Sequence, residues 1–264
     1  MRVEPQLLNA HPYEPPKGLT AKIARRLVPY QAKRVLKFRL TRPIVSFTFD
    51  DFPRSAISHG AVPLEQEGWK ATFYVASALR DVTNHHGLHF AADDLPFLQS
   101  RGHEIGGHSF SHVDFSNLTP AAQISEINRN KNSLHDMGVK GVISNFAYPY
   151  GGVTVAAKRT LANQYKSLRG IRPGAHCGSA DLNGLKSAPV FTGPKMAKTL
   201  DLIKSLKHKP AWLTLFAHDI RDTPSEWGCT PDEFKIVMAA VKQSGAIVLP
   251  IGQAISLVEG NHGL

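Results

Sequence analysis

The chain has 264 residues, 42% hydrophobic and 20% charged, the proportions of a globular protein long enough for one barrel-sized core. No run of 18 apolar residues occurs, which excludes a membrane-spanning helix. The net charge of +10 is unevenly placed: residues 1–49 hold ten basic residues against two acidic ones, so eight of the ten net positive charges lie there.

Residues 1–42 read as a basic N-terminal arm and residues 43–264 as the domain that follows. Met1-Arg2-Val3-Glu4-Pro5-Gln6 lacks the charged-then-apolar order of a secretory signal, so a cytoplasmic chain is expected, peripheral at the inner membrane face if the arm binds there. Segment 20–40 interleaves its bases with Ile23, Leu27, Val28, Val35, Leu36, Phe38 and Leu40, and Pro29 interrupts any single helix. Such a stretch either packs across the base of the domain with its lysines in solvent, the preferred reading, or rests on an anionic membrane surface. No recognised fold motif accompanies the charge, which argues against nucleic acid as a partner.

Ile44-Val45-Ser46-Phe47-Thr48-Phe49 is rich in β-branched and aromatic residues and reads as a buried parallel strand that ends in Asp50-Asp51. Ser55 to Gly68 reads as a helix with Ile57, Val62 and Leu64 inward, followed by a strand over 71–76. Residues 80–92 form a loop whose His85, His86 and His89 are expected in solvent or on a substrate-facing rim rather than on a second metal. Asp93 to Arg101 is a short helix ended by Gly102, and 103–107 a third strand. His108-Ser109-Phe110-Ser111-His112 then follows. Its i, i+4 spacing would put both imidazoles on one face of a helical turn, close enough to share a metal.

Thr119-Pro120 opens a helix that Gly138 closes. Strands are expected at 142–146 and 167–171, with 172–195, rich in Pro and Gly, as a long rim loop. Trp212 to Ala217 is a sixth strand, ending at His218-Asp219. Thr230-Pro231-Asp232-Glu233 is a capping box that starts a helix running to Gly245, and 246–250 is a seventh strand. Cys177 and Cys229 show neither metal-type nor redox spacing. Strands alternating with helices argue for a parallel α/β barrel or a doubly wound sheet, and periodicity does not choose between them.

The chemistry gathers at strand ends. A cap of the next helix would account for one of Asp50 and Asp51, not both. One carboxylate joined to His108 and His112 makes a two-histidine, one-carboxylate set that leaves coordination positions open for water and substrate.

Thr48-Phe49-Asp50-Asp51, His108-Ser109-x-x-His112, Phe146-Ala147-Tyr148-Pro149-Tyr150-Gly151 and Leu215-Phe216-Ala217-His218 resemble, in order, the first, second, third and fifth motifs of the polysaccharide deacetylase (NodB-homology) family, a carbohydrate esterase family. The resemblance implies a distorted (β/α) barrel of about seven parallel strands with its site at the carboxyl-end face. It also implies one divalent metal, zinc being expected, on Asp51, His108 and His112. Asp50 is then the general base, His218 the general acid, and the Tyr150 backbone N–H the oxyanion donor. The implied substrate is an N-acetylated sugar of a polysaccharide or lipid-linked glycan. An amide hydrolase for a small nitrogenous molecule and a non-catalytic carbohydrate-binding relative are the alternatives.

Three positions depart from the family pattern. Ala147 stands where an Arg usually holds the base carboxylate, so Asp50 is expected to lean on Arg169 or Arg172, or to be left freer. Phe52 replaces a Gly and is expected to narrow the floor of the site. The fourth motif, which orients the acid histidine, is not clear; Asp181 and Asp219 are its candidates.

Overall fold

The computed structural model describes residues 26–260. Its strands in chain order are β1 (Val35–Lys37), β2 (Ile44–Asp50), β3 (Thr72–Val75), the hairpin pair β4 (Thr83–Asn84) and β5 (Gly87–Leu88), β6 (Glu104–Gly107), β7 (Asn145–Ala147), β8 (Ser167–Arg169), β9 (Ser179–Asp181), β10 (Ala188–Pro189), β11 (Trp212–Ala217) and β12 (Ile247–Val248). The helices are α1 (Val62–Gln66, entered through a π-helical turn at Ile57–Ala61), α2 (Asp94–Ser100), α3 (Pro120–Asp136), α4 (Val155–Ala162), α5 (Pro194–Ser205), α6 (Pro231–Gln243) and α7 (Ile251–Gly260).

A parallel sheet runs β10-β11-β2-β3-β6-β7-β8, with β12 pairing the start of β2. It curves into a half-barrel. Segment 182–187 crosses the open side, where the Leu168 amide donates to the Leu182 carbonyl, the Leu185 amide to the Leu168 carbonyl and the Gly170 amide to the Leu185 carbonyl. This is the distorted (β/α) barrel of about seven parallel strands that the resemblance implies. No helix among the described residues is long and apolar enough to cross a membrane.

Side chains alternate across each strand, and in β2 this alternation decides everything downstream. Val45, Phe47 and Phe49 face the helices and join the larger core, whereas Ile44 belongs to the smaller core at the barrel base. Ser46, Thr48 and Asp50 share the face of Ile44. Ser46 Oγ accepts from Trp212 Nε1 at 3.1 Å, and Thr48 Oγ1 donates to the Leu215 carbonyl at 2.9 Å. Asp50 therefore closes a row of polar residues pointing into the barrel. At the other end, the Glu104 carboxylate accepts from Thr72 Oγ1 at 2.7 Å and from the Gly252 amide at 2.9 Å, fixing an anion at the start of α7 where a helix favours one.

Several sequence expectations shift. Val62 is exposed rather than inward, since the π-helical turn before it rotates the face that α1 presents. The fourth strand begins three residues late and Val142 is exposed. Residues 172–195 are not a plain loop but contribute β9, β10 and the first turn of α5. Both cysteines are free. Phe52 does not narrow the site: it stacks on Phe90 (centroids 5.3 Å apart, planes 4° apart) and packs on Phe73 inside the core.

Of the segment 20–40, residues 20–25 lie outside the described residues. The rest packs. β1 runs antiparallel to β9 with Val35 opposite Asp181, and the Arg34 guanidinium donates to the Ala162 and Tyr165 carbonyls at 3.1 and 2.9 Å. The buried Lys158 ammonium donates to the Gln31 carbonyl at 2.9 Å and to Asp181 at 2.8 Å.

Candidate metal centre and active site

At the carboxyl end of β2 the backbone turns sharply. The Phe52 amide donates to the Asp50 carbonyl at 2.6 Å, and Asp51 and Phe52 adopt φ of 59° and 60°. This turn redirects the second carboxylate, so Asp50 looks into the barrel while Asp51 looks across its rim. Ser109, His112 and Tyr150 also have positive φ, at 62°, 52° and 58°. Of the seven such non-glycine residues described, five surround this one point, a concentration of backbone strain of the kind that functional sites hold in place.

His108 and His112 do not share a helical turn. The left-handed residues Ser109 and His112 fold the loop so that the two rings meet, with centroids 5.0 Å apart. The Glu126 carboxylate of α3 holds that loop by accepting from the Phe110 and Ser111 amides at 3.1 and 2.8 Å.

Asp51 Oδ1 lies 3.2 Å from His108 Nε2 and 2.9 Å from His112 Nε2. It is nonetheless buried without a hydrogen bond of acceptable geometry. His108 Nδ1 meets the Ala147 carbonyl at 2.8 Å, an acceptor only, so in the neutral ring the proton sits on Nδ1 and Nε2 presents a lone pair. His112 Nδ1 is 3.0 Å from the Tyr150 hydroxyl. Lone pairs aimed at a carboxylate oxygen repel unless a proton or a cation lies between them. With a proton in that place, His112 and His108 outweigh burial, which would push Asp51 up, and hold the carboxyl well below its usual range. An orphaned buried oxygen, two Nε2 atoms and a borderline N,N,O donor set together fit a divalent transition metal.

Asp50 is ion-paired with Arg169, whose fully buried guanidinium lies between the rings of Tyr74 and Phe216, 5.3 and 5.1 Å from their centroids. Of the two arginines named from the sequence, Arg169 is thus the one at the site. Arg172 is exposed and stacks on Tyr30.

His218, at the end of β11, places Nδ1 3.1 Å from the Trp227 carbonyl. That carbonyl does the orienting expected of an aspartate. Asp181 lies elsewhere, paired with Lys158. Asp219 turns away to accept from the Ser225 amide (2.8 Å), Ser225 Oγ (2.6 Å) and Arg221 Nε (2.8 Å), with Gly228 packed where any Cβ would strike it. Burial, then the neighbouring His86, pushes His218 down to about 4, so the resting ring is neutral at pH 7.

His86, expected in solvent or on a substrate-facing rim, is buried against His218. The polar, glycine-bearing sequence of 80–92 gives no burial signal, yet the β4–β5 hairpin tucks His86 and His89 inside and leaves His85 exposed. His86 Nδ1 sits 3.1 Å from Asp219 Oδ1, and its ring stacks on His218 with centroids 4.9 Å and planes 8° apart.

A family model described as polysaccharide deacetylase matches residues 38–167, a stretch that contains Asp50, Asp51, His108, His112 and Tyr150 and ends before Arg169 and His218. The fold is similar to that of the chitin deacetylase from the fungal pathogen Colletotrichum lindemuthianum, at 17% identity over 83% of this chain and 89% of that one, with a TM-score of 0.58. It is similar also to a family 4 acetyl xylan esterase from Clostridium thermocellum in complex with a cobalt ion (19% identity, 81% and 91% covered, TM-score 0.57). A third similar structure is a CE4 family pseudoenzyme from Bacillus anthracis (14% identity, 81% and 66% covered, TM-score 0.56). No curated protein sequence matches the chain.

Proposed function

Because this chain belongs to the polysaccharide deacetylase family, we propose that it is a metal-dependent hydrolase that removes N-acetyl groups from an N-acetylated sugar of a polysaccharide or lipid-linked glycan. The observation that carries the reading is Asp51 Oδ1, buried without a hydrogen bond and faced by two Nε2 atoms. Asp51, His108 and His112 would hold one divalent ion, zinc by preference for this donor set. When bound, such an ion supplies a Lewis acid that polarises an amide carbonyl and acidifies water.

The remaining work falls to side chains and backbone. Asp50, steadied by Arg169, accepts the proton of the attacking water. The Tyr150 backbone N–H donates to the developing oxyanion. His218 delivers a proton to the leaving nitrogen. Since its resting ring is neutral, the proton that Asp50 takes from the water passes to the His218 nitrogen not held by Trp227 and from there to the leaving nitrogen. Tyr150, which packs on His112, and Trp227, which packs edge-on against His86, offer apolar faces for a sugar ring on either side of the histidines.

Acetate release from a panel of N-acetylated sugars, with the protein loaded with Zn²⁺ and with His108→Ala as control, is the direct test. Release by the loaded wild type alone is expected; equal metal content in both proteins would remove the assignment of the ligands. Cytoplasmic lipid-linked glycan precursors are the proposed setting, with residues 20–40 beside the membrane. Salt-sensitive binding to anionic vesicles, at up to ~1 kcal/mol per basic residue, checks it.

A further inference from the structure

Asp51 is approached from both edges. Its Oδ1 faces His108 and His112, while its Oδ2 lies 3.8 Å from His86 Nε2. That distance is too long for a hydrogen bond. It matches two ligands sharing one ion, since donors each ~2.1 Å from a metal stand ~3.4–3.9 Å apart at open angles. His218, stacked on His86, completes a second group: one ligand atom each from Asp51, His86 and His218, all within 4.8 Å of one another, as in the first group.

The second group is built as metal-ligating histidines usually are. His86 Nδ1 is backed by the carboxylate of Asp219, itself fully buried and held by Ser225 and Arg221, and His218 Nδ1 by the Trp227 carbonyl. Both partners are acceptors, so each neutral ring carries its proton on Nδ1 and keeps the Nε2 lone pair for a cation. A carboxylate with nitrogen donors on both edges is the bridge of a two-metal site, in which the ions sit ~3.5–4 Å apart.

We infer that Asp51 bridges two cation sites, and that Asp51, His86 and His218 bind a second borderline divalent ion such as Zn²⁺. The second ion binds more weakly than the first, because it shares the single carboxylate and is repelled by the ion already there. It also occupies the His218 nitrogen that proton transfer requires, so filling it arrests turnover. This last consequence rests on the role proposed for His218; the site itself does not.

The test is equilibrium dialysis of the chelator-stripped full chain against increasing Zn²⁺, with metal measured by elemental analysis and acetate release followed in parallel. Two ions per chain are expected, the second at least tenfold weaker, with turnover highest near one equivalent and falling at least tenfold as the second fills. His86→Phe keeps the ring stack on His218 but offers no lone pair; it should stop at one ion and lose the decline. Asp219→Asn, which removes the charge behind His86, should weaken the second ion by ~10–100-fold and spare the first, and serves as the readout if His86→Phe does not fold. A wild type that saturates at one ion, or a folded His86→Phe that still takes two, overturns the inference. His108→Ala separates this outcome from failure of the first site, since it should lose the tighter ion only.

Discussion

Arg169 stands directly opposite Ala147 in the register of β8 against β7, and from that position it pairs with Asp50. The cation that the family pattern supplies from position 147 comes here from one strand further along, at the same height in the barrel. Of the alternatives that Ala147 leaves open, support by Arg169 is the one found, and Asp50 is not left without a nearby cation.

Arg169→Met is expected to cost about 3–5 kcal/mol of stability, because it leaves a carboxylate buried without its partner, and to lower turnover as well. Adding Ala147→Arg should recover part of both losses by restoring a guanidinium from the neighbouring strand. Denaturant melts of the three proteins check this; an Arg169→Met protein as stable as wild type would show that the pair contributes nothing.

The two adjacent carboxylates should separate by phenotype. Asp50→Asn is expected to retain metal and lose ~10²–10⁴-fold in turnover, as removal of a general base does. Asp51→Asn should lose metal affinity first, with activity returning in part at excess Zn²⁺. Metal content by elemental analysis, read beside acetate release, reverses the assignment if Asp50→Asn is the metal-free protein.

His176 provides a pH test away from the metal. Buried against Trp212, it accepts the Lys186 amide proton on Nε2 at 3.0 Å and must be neutral to do so. Burial, then Lys186, pushes it from 6.5 down to about 4. The folded pKa lies below the unfolded one, so the unfolded chain binds more protons between them. Stability present above pH 6.5 is thus lost as pH falls toward 4. His176→Gln, which keeps an acceptor without a titrating proton, should lack that part of the loss; identical pH dependence of the two denaturation midpoints would rule it out.

The cap of α6 is a simpler case. Thr230 Oγ1 accepts from the Glu233 amide at 3.2 Å, and Glu233 accepts from the Thr230 amide at 2.8 Å. Thr230→Ala should cost about 1 kcal/mol and Thr230→Ser much less, measured by chemical denaturation.

Sequence alone determined what is local. The apolar run of β2 made a buried strand, Thr119-Pro120 and Thr230-Pro231-Asp232-Glu233 started helices where they were read, and Gly102, Gly138 and Gly245 ended them, because strand burial and helix capping depend on neighbours in the chain. Asp50, Asp51, His108, His112 and His218 were legible as a set because chemistry-bearing residues fell at strand ends in family order. Long-range contacts decided the rest. Arg169 and Arg172 differ by three positions, and only the register of β8 against β7 put the first in the barrel and the second in solvent. Asp219 adjoins His218 in sequence, yet the turn through Ser225 and Gly228 gave it to His86 instead. The burial of His86 depended on how a hairpin folds back over the rim, and no periodicity encodes that, because the burying partners come from residues more than a hundred positions away.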